Sequence, residues 1–262
     1  SYLINGEQLT PMVHRSKFSN RVNGPVGFDR RVEGRFDTII RHGDKPDEYW
    51  WEVTDRSGVT YYYGKYSTDA NVNPACVLTD DDGNIARWAL AEVRDLHGNY
   101  VKYVYQKKYH TGFSSGTVTG KQIYPSEILY TGHGTNDGKY RVEFELDNTG
   151  IRNDVIINAR KGFKEVTANL LDTIKVSFNG EFIRQYKLLY NSGGNKSLLC
   201  KIVEINDNEV FKDPSTMNFL QVIDCEPTGE KYPGVRVHRF DYFQEVGTVF
   251  STSVQLQNID KD

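Results

Sequence analysis

The sequence predicts an all-β chain of antiparallel hairpins and meanders that form curved sheets, with few short helices. Three observations carry that reading. Short runs of alternating apolar and polar residues recur along most of the 262 residues. They are separated by Gly-, Asn-, Asp- and Ser-containing turns. Aromatic residues make up 13% of the chain, with 17 Tyr among them, and Tyr suits a half-buried strand, where its ring packs and its hydroxyl stays wet.

The elements follow in order. WWEVT at residues 50–54 leads through DRSG to VTYYY at 59–63, a hairpin with a short polar turn. WALAEV at 88–93 leads through DLHGN to YVKYVY at 100–105, where Val101, Tyr103 and Tyr105 share one face. A third hairpin joins EILY at 127–130 to YRVEFEL at 140–146. Its loop, TGHGTNDG, is rich in residues that tolerate positive φ. A fourth joins residues 171–178 to 181–190 across Asn179-Gly180, the strongest short hairpin signal. A strand at 198–205 and a closing strand at 238–243 complete the series. Helical periodicity is weak, and a turn or two of helix is expected only within 161–171, centred on 167–171. The segment 206–233 holds Pro214, Pro227 and Pro233 and reads as a loop or insertion. No linker divides the chain, so residues 1–262 are read as one β-rich domain, with 206–262 the least defined part.

Composition excludes several functions. The net charge is −3 and the pI about 6.1, with Lys and Arg scattered among Asp and Glu, so no basic field favours nucleic acid. No apolar run reaches the roughly 18 residues of a membrane span. Cys76, Cys200 and Cys225 form no CxxC pair, which argues against zinc; one bridge is open to them, and three buried thiols are the expectation. The chain opens on Ser1 without a signal peptide and is read as a portion of a longer protein.

With these segments in order, the chain resembles the SpvB-like N-terminal domain of the B components of bacterial insecticidal toxin complexes. The resemblance runs over most of residues 1–205. It starts at YLINGEQL (2–9) and FDTIIRH (36–42). It continues through Tyr49, Trp50, Trp51 and Val53 to Gly58, Tyr63 and Gly64. Trp88, Leu90, Val93, Asp95, Gly98 and Asn99 follow, before Tyr103 and Tyr105. Then come Tyr130, Arg152-Asn153-Asp154, Arg160, Gly162-Phe163, and Tyr186, Leu188 and Tyr190 before Ser197. Asn153 stands where the family often has Pro. Asp95, Gly98 and Asn99 followed by Tyr103 and Tyr105 are also similar to the Tyr-Asp repeat grammar of Rhs shells. The resemblance implies a non-enzymatic structural module of a secreted or cell-surface toxin-complex-like protein. Its partners would be neighbouring Rhs-type shell domains, and no cofactor is implied.

Some members of that family carry a separate ADP-ribosyltransferase domain, whose pattern resembles Arg, then Ser-Thr-Ser, then Glu-x-Glu. Here Glu143 and Glu145 precede Ser251-Thr252-Ser253, so the order is reversed, and the two Glu fit the outer face of a strand. The DDDGN run at 80–84 has Leu78 where a calcium loop needs its first oxygen, and it reads as a solvated turn. The six His show no ligand spacing; His97 and His133 sit in turns, and His42 closes a strand where packing is expected. No nucleophile elbow, phosphate loop or dinucleotide fingerprint is present. An alternative is a carbohydrate-binding or glycan-processing module, with Trp50, Trp51 and Trp88 as a sugar platform. Packing roles are expected for Trp51, Trp88, Tyr103 and Tyr190. Asp154 is expected to pair with an Arg, with Arg152 and Arg160 in the same stretch, and so to pin this segment to the shell, while Gly162 supplies a bend; the alternative is an anion or partner site built on the two Arg and the Asp.

Overall fold

The structure, a computed structural model, describes residues 2–12, 23–32, 34–147, 152–191, 196–206 and 235–240. Their regular secondary structure is almost wholly strand. The expected closing strand lies partly outside them, as do His14, Cys225 and Ser251–Ser253.

The strands add to one sheet nearly in chain order. β1 (Tyr2–Ile4), β2 (Glu7–Pro11), β3 (Val26–Arg30), β4 (Thr38–His42), β5 (Trp50–Thr54) and β6 (Thr60–Tyr63) each lie beside the next. The chain then leaves the sheet. A 3-10 turn at Pro74–Cys76, capped by the Asn73 side chain on the Ala75 amide, leads into a two-stranded ribbon of β7 (Val77–Thr79) and β8 (Ile85–Trp88). The sheet resumes with β9 (Leu90–Arg94) against β6, followed by the long β10 (Asn99–His110), β11 (Gly120–His133) and β12 (Tyr140–Leu146). A short pair, β13 (Ile156–Asn158) and β14 (Glu165–Thr167), attaches to β11 through a parallel contact at Lys121 and Glu165. β15 (Leu171–Phe178), β16 (Glu181–Asn191), β17 (Leu198–Asn206) and β18 (Val235–Arg239) complete the order. Register shifts interrupt the ladders of β6–β9, β10–β11, β12–β15, β15–β16 and β16–β17. Each such irregularity bends a strand and raises its twist, which curves the sheet.

Alternation sets the two faces. In β5, Trp51 and Val53 are buried. They pair with Arg41 and Ile39 of β4 and with Tyr63 and Tyr61 of β6. Leu9, Val26, Phe28 and Ile39 join them in the main core, with Tyr2, Ile4, Tyr61, Tyr63 and Trp88 packed around it. Burying Ile39 alone contributes about 1.5–3 kcal/mol. The excursion covers a second core, in which Leu78 meets Ile123 and Phe163. Leu189, Val203 and Ile205 form a third between β16 and β17.

Three turns share one construction. Asp55, Asp80 and Asp95 each stand three residues before a Gly, and each exchanges a backbone bond with the residue four later: the amides of Asp55, Asp80 and Asp95 donate to the carbonyls of Val59, Asn84 and Asn99 at 2.9 Å. Gly58, Gly83 and Gly98 have φ of 82°, 89° and 82°, a region glycine enters without cost. The Asp carboxylate then holds the turn from inside: Asp95 Oδ1 accepts from the amides of His97 (2.9 Å) and Asn99 (2.8 Å), and Oδ2 from Asn99 Nδ2 (2.8 Å).

Three expectations are corrected. Residues 167–171 contain no helix: Glu165–Thr167 is strand and Leu171 opens the next strand, because the Ala168 amide bonds the Tyr124 hydroxyl (3.2 Å) and the Ala168 carbonyl accepts from the Arg152 amide (2.9 Å). Trp88 belongs to the ribbon rather than to the β9–β10 hairpin. The chain changes sheets at Ala89, whose amide bonds Cys76 and whose carbonyl bonds Gly64. The cysteines are not three thiols: Cys76 is free and buried, whereas Cys200 is disulfide-bonded.

Candidate functional site

Of the residues the sequence singled out, Arg152 and Asp154 are brought together as a two-point ion pair. Arg152 Nε and Nη2 donate to the two Asp154 oxygens at 3.0 and 3.1 Å, a planar fork on a carboxylate. Asp154 Oδ1 also accepts from the Ser197 amide (3.2 Å), and the Asn153 amide donates to Ser197 Oγ (3.1 Å). With the Arg152 amide on Ala168, the segment is tied at once to the entry of β17 and to the exit of β14. The Arg152 guanidinium, helped by Ser197, holds the Asp154 carboxyl far below the usual carboxylate range.

Arg160 does not join this group. It is exposed, makes no ion pair among the described residues, and lies on the β13–β14 turn, where its amide bonds Asn158 Oδ1 (3.0 Å). Gly162 closes that turn with φ of 89° and a bond from its amide to the Ala159 carbonyl (3.1 Å). The two arginines therefore serve different places: Arg152 is engaged by Asp154, and Arg160 lies on the exposed turn.

The aromatic residues also separate. Trp51 is buried, its ring edge-on to Tyr2 (4.8 Å), Phe28 (5.1 Å) and Trp88 (5.9 Å). Trp88 is half-buried and donates its indole N–H to the Tyr49 carbonyl. Trp50 points to the opposite sheet face. There it stacks on His42 at 3.8 Å and meets Lys65 Nζ at 4.5 Å from the ring. The three Trp form no common platform. Tyr103 and Tyr190 are half-buried; the Tyr103 carbonyl accepts from the Tyr66 hydroxyl (3.2 Å), and the Tyr190 hydroxyl donates to the Leu171 carbonyl (2.7 Å).

Two buried ionic groups escaped sequence reasoning. Glu92 has no exposed surface, and its oxygens accept from Ser67 Oγ (2.7 Å), Arg94 Nε (2.7 Å) and the Ser67 amide (3.2 Å). Arg30, 6% exposed, reaches Glu7 (2.5 Å) and Asp37 (2.6 Å). Nothing in LAEVR or VGFDR marks these residues as buried, because Arg94 apart their partners come from 7 to 25 positions away. The shared Asp-x-x-Gly turns did leave a signal, the same spacing at 55, 80 and 95.

The remaining candidates have local partners. Asp80 holds the Asn84 amide (2.7 Å) and Nδ2 (2.9 Å). Glu145 is exposed and pairs with Lys175 (2.5 Å) across β12–β15. His97 and His133 are exposed, and burial against Trp50 pushes His42 below its ordinary pKa, with Glu52 Oε2 3.2 Å from its Nε2. Among the described residues, no three His, Cys, Asp or Glu side chains gather as a metal-ligand group, and no helix is long and apolar enough to cross a membrane.

No curated protein matches the chain. Solved structures do. The N-terminal domain of effector protein SpvB from Salmonella typhimurium strain LT2 superposes with a TM-score of 0.59 at 15% identity, over 70% of this chain and 69% of that one. A TcdB2-TccC3 structure gives a TM-score of 0.57 at 15% identity over 71% of this chain, and a Tc holotoxin pore of Photorhabdus luminescens gives 0.56 at 17% identity over 76%. The chain spans only 11% and 12% of those two larger proteins. These likenesses show a shared fold. Residues 8–149 also match the family described as Salmonella virulence plasmid 65kDa B protein, which is more than half of the sequence. The chain belongs to the SpvB family.

Proposed function

We propose that this chain is a non-enzymatic wall module of a secreted or surface-exposed toxin-complex protein, built to join neighbouring shell domains of the Rhs type. The observation that carries this reading is the sheet: from β1 to β6 and from β9 to β12, each strand lies beside its predecessor, and the order then runs through β15 to β18. Among the described residues such a sheet has two ends, β1 and β18, where backbone donors and acceptors face outward, and a larger shell would cover them. The bonded charges support the same role. Glu92, Arg30 and Asp154 are each bonded to the protein's own groups, which leaves them to hold segments together.

Its mechanism is mechanical: curved hairpins make the wall, and bonded carboxylates fix the loops. Hydrogen exchange tests it. Amides of β18 are expected to exchange rapidly in the isolated chain and to slow at least about tenfold within the longer parent protein. Equal exchange in both would sink the proposal. A carbohydrate-binding role is less well supported, because Trp50 and Trp51 face opposite sides of the sheet. A glycan array is expected to be blank, as is an NAD hydrolysis assay.

A further inference from the structure

At the end of the sheet where β1 turns into β2, a cavity of about 420 Å³ opens between three connections. Its floor is apolar and aromatic: Ile4, Val53, Tyr61 and Tyr63. Its walls hold two carboxylates, and both are already engaged. Asp37 takes the Arg30 guanidinium at 2.6 and 3.2 Å. Asp55 Oδ1 accepts from the Ser57 amide (2.8 Å), Ser57 Oγ (2.6 Å) and the Val59 amide (3.1 Å), and its Oδ2 accepts from the Tyr61 hydroxyl (3.2 Å).

Two arginines at the mouth are differently placed. Arg35 and Arg56 both line the cavity and are exposed, and neither forms an ion pair among the described residues. Phe36, next to Arg35 in the chain, is 64% exposed, with the Arg56 guanidinium 5.4 Å from its ring centre. Phe36 has φ of 56°, a left-handed conformation that costs a non-glycine residue about 1–2 kcal/mol. An exposed aromatic ring in a strained backbone thus stands beside two cations that have no carboxylate partner among the described residues, and such strain clusters at binding sites.

We propose that this cavity is a binding site for an aromatic carboxylate, with the ring on the Tyr61–Tyr63 floor and the carboxylate between Arg35 and Arg56. The size suits a small ligand, and the lining combines an apolar floor with few convergent polar groups. Guanidinium forks match a carboxylate in two-point geometry. The nearby Asp37 and Asp55 favour a singly charged anion over a phosphate dianion, because each added negative charge meets theirs. The carboxylate comes either from a free small acid or from the C-terminal residue of a peptide. The site does not depend on the wall role.

The test is calorimetric titration of the 262-residue chain with 3-phenylpropionate, its uncharged amide, and a tetrapeptide ending in Phe with a free or an amidated terminus. The acid is expected to bind saturably with Kd at or below about 1 mM, and the amide at least about tenfold more weakly. The double variant Arg35→Gln with Arg56→Gln is expected to lose at least about tenfold in affinity at unchanged melting temperature, since both side chains are exposed. Tighter binding of the free-terminus peptide than of 3-phenylpropionate would identify a chain terminus as the natural source; the reverse would identify a small acid. The proposal is overturned if no probe binds up to about 10 mM, if acid and amide bind equally, or if the double variant binds like the wild type.

Discussion

Trp88 donates its indole N–H to the backbone carbonyl of Tyr49, 39 positions earlier. This bond and the Trp51 contact tie the β7–β8 ribbon to the β4–β5 connection. Trp88→Phe keeps ring packing and leaves the Tyr49 carbonyl without that donor, at an expected cost of about 1–2 kcal/mol. Trp88→Ala is expected to cost about 3 kcal/mol, near the lower end for large aromatics because the ring is half-buried. Urea denaturation measures both. Wild-type stability in Trp88→Ala would remove Trp88 from the packing scheme.

Asp154 gives a pH signature. Its carboxyl titrates below its ordinary value in the fold, so the folded state favours the ionised form. That contribution is complete above the ordinary carboxylate pKa of about 3.9 and declines as pH falls toward the lower folded value. The melting-temperature gap between wild type and Asp154→Asn should be constant from about pH 5 to 8 and shrink below about pH 4. A gap that widens on acidification would contradict the Arg152 pairing.

Gly162 and Arg160 separate backbone from charge. A Cβ at Gly162 meets nothing within 4 Å, so the cost of substitution is conformational alone. Gly162→Val should destabilise by at least about 1–2 kcal/mol, since φ of 89° disfavours any L side chain and a β-branched one most. Arg160→Ala should stay within about 0.5 kcal/mol of wild type, because no buried partner is abandoned. The two denaturation midpoints decide this directly.

Cys76 is buried, and desolvation pushes its thiol up to about 12. At pH 8 it should resist a disulfide reagent in the native protein and react once urea unfolds the chain, because the thiolate is the nucleophile. Rapid native labelling of Cys76 would show that the Pro74–Cys76 turn opens.

Hairpins with strong turn chemistry were legible from the sequence. Asn179-Gly180 and Asp55–Gly58 set their own registers, and alternation did the rest. The Arg partner of Asp154 was legible as a type but not as a residue: Arg152 and Arg160 read alike until the β13–β14 turn carries Arg160 away. Ala89 was not legible as a sheet switch, since no Gly, Pro or other turn residue interrupts 85–93. The burial of Glu92 leaves no mark in the sequence because Ser67, which covers it, belongs to the excursion. The Arg35–Arg56 pairing in one cavity was equally invisible, as 21 positions of sequence separate residues that only the turns bring to the same mouth.

The chain order of the sheet also has a kinetic meaning. Most strands meet a partner that has just preceded them, so loop closure is short and early contacts are local, which favours speed in a β protein. A chain leaving the ribosome could lay down β1 to β6 before β10 exists, each new strand docking on the last. The excursion at 64–89 is the first pause in that growth: β6 must wait for β9, and during that interval its edge is open. Slow folding phases and misassembly in this molecule should therefore concentrate at the β6–β9 seam, where substitutions would change rates more than final stability.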